Sequence, residues 1–257
     1  MPFTPDSATV GFSDVTSANV VGYINDTMVD GYKAVAAPFS AVGSVEKGFN
    51  LSDMIVEGAD PITSSVNPVT IQTLKADGTG GDTYTYHYND TATAYKNGNG
   101  WYDKKRKLIT KEADVFFPVG TGLWLKGNAT LKFVTSGEVL FDSVQIDLVD
   151  GYRLVGNPFA AKMQLSKIVA SGADQITSSL NAINLQTLNV DGTGGDTYTY
   201  HLKDTATAYK NGDGWYDKKR KLITSDNEIE FSAGVSLWVK GNSSLSLRII
   251  TPFEDAE

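Results

Sequence analysis

The sequence predicts an all-β fold made of two tandem, mutually homologous antiparallel β-sandwich or barrel modules. Three observations carry that expectation. The stretch 58–110 aligns without gaps to 172–224, with 42 of 53 positions identical, so one unit is written twice. Asp82-Thr83-Tyr84-Thr85-Tyr86-His87-Tyr88 alternates hydroxyl and aromatic side chains with period two, using strong strand formers. Asp77-Gly78, Asn97-Gly98 and Asn211-Gly212 supply reversals at the short spacing of a sandwich or barrel.

The flanks of the repeat match more loosely. Val29-Asp30-Gly31-Tyr32 answers Val149-Asp150-Gly151-Tyr152, Pro38-Phe39 answers Pro158-Phe159, and Leu123-Trp124 answers Leu237-Trp238. The offset between copies falls from 120 to 114 between Phe39 and Leu51, so 41–50 is expected to be an extra surface loop of the first copy. The module boundaries expected are 15–134 and 135–252, with no linker between them. Strands are expected at 123–126, 130–134 and 144–148. One helical turn per copy is expected at 51–55 and 165–169.

Composition excludes several functions. The chain carries 22 basic and 30 acidic residues, a net charge of −8, which argues against a nucleic-acid or anionic-membrane binder resting on basic surface. Cysteine is absent, which removes disulfides, thiolate metal sites and cysteine nucleophiles. No apolar run is long enough for a membrane helix, so no membrane insertion is expected. Met1–Asp6 has neither a basic nor an apolar signal-peptide region. A cell-surface or extracellular location is expected where an export signal has been removed, and a cytoplasmic or phage-like one where it has not.

Gly151-Tyr152-Arg153-Leu154-Val155-Gly156-Asn157-Pro158-Phe159 opens the second copy, and Gly234-Val235-Ser236-Leu237-Trp238-Val239-Lys240-Gly241 closes it. Between them stands Gly214-Trp215-Tyr216-Asp217. This pattern resembles a module of secreted and surface bacterial proteins with a GWNLVGNPF-like opening and a PGxGFWVKG-like closing. The first copy departs at its opening, Gly31-Tyr32-Lys33-Ala34-Val35-Ala36-Ala37-Pro38-Phe39. The resemblance implies a β-rich module and a surface location, and no particular reaction.

Two groups of candidate site residues follow from the repeat. Trp101, Tyr102 and Asp103, with their twins Trp215, Tyr216 and Asp217, follow a predicted hairpin turn. Exposed there, the rings would stack on a sugar while the carboxylate took its hydroxyls; buried, they would close one end of the core. Trp124 and Trp238, set among leucine and valine, are expected in the core. Lys104, Lys105, Arg106 and Lys107, with Lys218, Lys219, Arg220 and Lys221, form the densest charge in the chain and are expected to be a solvated turn or an assembly contact.

The loops Asn97–Asp103 and Asn211–Asp217 superficially resemble calcium loops. Tyr209 and Arg220 would fall where oxygen ligands belong, so no metal is expected. Each histidine, His87 and His201, has Asp and Thr nearby but stands in a Tyr-Thr-Tyr strand without a nucleophile elbow, so no catalytic residues and no cofactor are expected. The function expected is that of a non-enzymatic structural or assembly protein of a surface layer, filament or capsid-like array, with itself as partner. The alternative is a glycan-binding or adhesin module whose partner is a polysaccharide.

Overall fold

The computed structural model describes residues 20–44, 46–189 and 192–253; Met1–Asp6 and Asp191 lie outside them. The protein is all-β, built from small sheets whose strands pair antiparallel. Two five-stranded sheets dominate. The first holds β1 (Gly31–Ala36), β2 (Val69–Leu74), β3 (Gly80–His87), β4 (Gly100–Tyr102) and β5 (Gly122–Gly127), in the order β1-β5-β2-β3-β4. The second holds β6 (Gly151–Gly156), β7 (Ile183–Leu188), β8 (Gly194–His201), β9 (Gly214–Tyr216) and β10 (Ser236–Gly241), in the order β6-β10-β7-β8-β9.

Period-two alternation decides which side chains each sheet turns inward. Directly opposite residues share a face, and the register sets Val35 against Leu123, Ile71 against Leu125 and Tyr84, and Tyr86 against Val69 and Trp101. These residues face a second layer formed by Val21–Thr27, Lys132–Glu138 and Ile55–Glu57, whose Val56 and Phe133 belong to the same core. The second half repeats the arrangement: Val155, Leu185, Tyr200, Trp215 and Leu237 face a sheet of Val144–Asp147, Ser246–Ile249 and Ile168–Ser171. Each such side chain, fully buried, contributes about 1.5–3 kcal/mol of hydrophobic stabilisation.

The other faces of the two five-stranded sheets meet each other. Trp124 lies edge-on to Trp238, with ring centroids 6.0 Å apart. The close approach depends on small residues, because a Cβ on Gly156 would stand 2.3 Å from that of Ala36, and one on Gly122 would stand 2.5 Å from the Ser236 hydroxyl. Contacts across this seam come in exchanged pairs. Val35 bridges to Val235 and Thr121 to Val155. The Ala36 amide donates to the Gly234 carbonyl at 2.9 Å, and the Gly156 amide to the Gly120 carbonyl at 2.8 Å. Each half also extends a hairpin over the other: Gly78 sits against Tyr152 and Trp238, and Gly192 against Tyr32 and Trp124.

Several expectations need adjustment. The boundary placed between 134 and 135 falls inside the strand Lys132–Glu138, which pairs along its whole length with Val21–Thr27. The crossover to the second half therefore lies between Glu138 and Val144. The segment 41–50 is not all loop, because Gly48–Asn50 pairs with Phe116–Pro118 to cover the core. Single turns of 3₁₀ helix stand at Leu51–Asp53 and Leu165–Lys167, where one helical turn was expected. The buried Asn157 of the opening motif explains that motif: its amide donates to the carbonyls of Ala161, Phe231 and Ser232 and its side-chain oxygen accepts from the Phe159 amide. The first copy has Ala37 there and makes no such tie.

Candidate functional site

The Trp-Tyr-Asp segments do not form exposed platforms. Trp101 and Trp215 are each 1% exposed, and Tyr102 and Tyr216 are fully buried. The reason is strand pairing. β4 pairs with β3, not with residues 94–96 across the Asn97-Gly98 turn, and Trp101 therefore stands opposite Tyr86 on the core face. Its indole N–H donates to the Met54 carbonyl at 2.7 Å, and that of Trp215 to Ile168 at 2.7 Å.

Tyr102 lies on the opposite face, where the segment 88–99 folds over it. Its hydroxyl, with one proton to donate, lies within hydrogen-bond reach of the carbonyls of Tyr95 (2.8 Å) and Gly98 (2.6 Å). The clamp holding this segment is His87, 1% exposed, with Nδ1 2.7 Å from Asp90 Oδ2 and Nε2 3.0 Å from Thr85 Oγ1. The imidazole stacks on Tyr95 with centroids 3.5 Å apart. His201, Asp204, Thr199 and Tyr209 repeat the clamp. The amide of Ala92, and secondarily His87, hold the Asp90 carboxyl below the usual aspartate range; Ala206 and His201 do the same for Asp204. The Asp-His-Thr order is that of a hydrolase triad, yet the ring is sealed between tyrosines and its partners are two and three residues away along the chain. These contacts fasten the segment 88–99 to the sheet.

Asp103 and Asp217 organise the turns that follow. Asp103 Oδ1 accepts from the amides of Lys105 (2.8 Å) and Lys107 (2.9 Å), and Asp217 does the same for Lys219 and Lys221. Arg106 and Arg220 stand at φ +61° and +62°. That left-handed conformation costs an ordinary side chain about 1–2 kcal/mol and suits Gly or Asn far better. All eight basic residues of the two turns are exposed. Lys104 pairs with Asp82 at 3.7 Å and Lys218 with Asp196 at 3.3 Å. Among the described residues, Lys105, Arg106 and Lys107, and Lys219, Arg220 and Lys221, make no ion pair.

Beside each turn is a shallow cleft. One of about 270 Å³ is lined by Asp82, Tyr84, Asp103, Lys104 and Lys105, and one of about 320 Å³ by Asp196, Tyr198, Asp217, Lys218 and Lys219. Burial, and then the nearby Asp82 and Asp103, push the Tyr84 hydroxyl pKa up; Asp196 and Asp217 act likewise on Tyr198. Both phenols therefore stay protonated at neutral pH and present hydroxyls, not phenolates. Among the described residues, no three His, Cys, Asp or Glu side chains converge on a possible metal position.

Trp124 and Trp238 also differ from expectation. Leu123 and Leu125 face the core, so Trp124 between them faces away, and Leu237 and Val239 do the same to Trp238. Each tryptophan is only partly buried.

No protein-family model matches the chain, and no curated protein matches it. A subviral particle of infectious bursal disease virus VP2 aligns over 93% of this chain and 73% of that one, at 9% identity and a TM-score of 0.17. Likeness that slight carries no argument about fold or function. Fold and site together define the class: an all-β protein with a matched pair of exposed basic turns. No helix among the described residues is long and apolar enough to cross a membrane.

Proposed function

We propose that the chain is a tandem duplicate of one β-module, resembling those of bacterial surface proteins, and that it works as a non-enzymatic assembly protein of a surface layer, filament or capsid-like array. Its two basic turns are the contacts, each meeting acidic surface on another copy. The observation that carries this reading is the pairing of strained geometry with unspent charge. Arginine occupies a left-handed position in both turns, where Asn or Gly would cost less, and among the described residues Lys105, Arg106 and Lys107 of one turn and Lys219, Arg220 and Lys221 of the other make no ion pair. A net charge of −8 provides the complementary surface on a neighbour.

Sedimentation velocity across a salt series tests the proposal. Self-association is expected at low ionic strength, weakening as the Debye length shrinks from about 30 Å at 0.01 M to about 8 Å at 0.15 M. Replacing all eight cations by Gln is expected to abolish association while leaving the melting temperature nearly unchanged, since exposed charges contribute little to stability. A monomer at every salt concentration would sink the proposal.

A further inference from the structure

We infer that the cavity between Tyr32, Trp124, Gln72 and Gly192 is a binding site for one sugar ring of a neutral polysaccharide. The inference does not rest on the assembly reading, which uses a different surface. The cavity measures about 240 Å³ and lies where the second half's hairpin crosses the outer face of the first half's sheet. That volume holds roughly eight waters at ~30 Å³ each, room for a single monosaccharide unit. It is smaller than the ~300 Å³ and upward that encloses a drug-sized ligand.

The lining fits the two-sided chemistry of a pyranose. Tyr32, 44% exposed, and Trp124 stand at right angles with centroids 6.5 Å apart, forming an aromatic corner for the C–H face of a sugar. Gln72, directly opposite Trp124 across the strand pair, donates through Nε2 to the Thr83 hydroxyl at 3.3 Å and keeps its second N–H and its carbonyl oxygen for a hydroxyl-bearing ligand. Gly192 contributes only backbone to the lining; a Cβ there would stand 3.4 Å from that of Tyr32. The Lys126 ammonium lies 5.5 Å from the Tyr32 ring centroid, engaged with the ring. One engaged cation on a protein of net charge −8 favours a neutral polymer over an acidic one.

The twin positions carry the same residue types: Tyr152, Trp238, Gln186, Lys240 and Gly78. There the Trp238 indole N–H is buried and has no acceptor among the described residues. Gly78 lies against the edge of that ring nearest the nitrogen. The Tyr32–Trp124 corner keeps open space beside its rings, which is the arrangement of a ligand surface, not of a finished interior.

The test is affinity electrophoresis of the full chain in native gels cast with soluble glucan, xylan, mannan or galactan. At least one polymer is expected to retard the protein, equally at low and moderate salt. Tyr32→Ala and Gln72→Ala should each weaken retardation tenfold or more. Tyr23→Ala, which removes a more exposed tyrosine elsewhere, should leave it unchanged, and melting curves establish that each variant is folded. Retardation by none of the four polymers overturns the inference. So does retardation that survives both cavity variants, or that Tyr23→Ala also removes.

Discussion

Each half of the molecule spends its two tryptophans on opposite faces of one sheet. Trp101 stands on the inner face, hydrogen-bonded to Met54 and packed edge-on against Tyr86 at 5.1 Å. Trp124 stands on the outer face, half covered by the other half of the chain and meeting Trp238 across the seam. The difference teaches that the inner face is an ordinary core, where shape and volume decide. The outer face is where the two halves of the chain meet and leave aromatic surface over.

The sharpest way to break the comparison is Trp101→Ala. It empties the core and removes the bond to Met54, and should cost about 3–5 kcal/mol in chemical denaturation; Trp215→Ala should match it. Trp124→Ala should cost about 1 kcal/mol, since its ring is only partly buried. Equal losses would show that the outer face is core as well. Next in size, Gly156→Ala forces a methyl against Ala36 and should cost about 1–3 kcal/mol by overpacking the seam.

Acid titration separates the clamp from both faces. Asp90 and Asp204 have folded-state pKa values below the ordinary value, so their contribution is present above about pH 4 and is lost as pH falls through and below it. The Asp90→Asn, Asp204→Asn double variant should melt lower at pH 7. It should also lose less of its melting temperature between pH 5 and pH 3 than the parent does. The smallest effect has the opposite sign. Arg106→Asn relieves a left-handed arginine and should raise stability by a few tenths to about 1 kcal/mol.

The all-β class was legible because polar residues alternate with tyrosine from Thr83 to Tyr88, and no other regular structure accommodates that period. The placement of Trp124 was also legible and was misread: between Leu123 and Leu125 a strand residue must face away from both. The burial of Trp101 was one of the two readings that its place beside a turn allowed, but its partner strand was not legible. Its face depends on β4 pairing with β3 across a twelve-residue excursion, and an Asn-Gly turn nearby offered a shorter, wrong hairpin. The clamp had a signal in the three-residue spacing of His87 and Asp90, but the stacking of Tyr95 on the imidazole is set by tertiary folding. The Tyr32–Trp124 cavity was hidden for the same reason, since residues from both halves build it.

The reciprocal hairpins have a consequence for how change spreads through this chain. The Ala76 carbonyl of the first half accepts from the Tyr152 amide of the second at 2.7 Å, and Gly192 rests on Tyr32 in return. A substitution at Gly78 or Gly192 is therefore felt in the opposite half as well as within its own hairpin. At these positions each half of the chain constrains the surface that the other must fit.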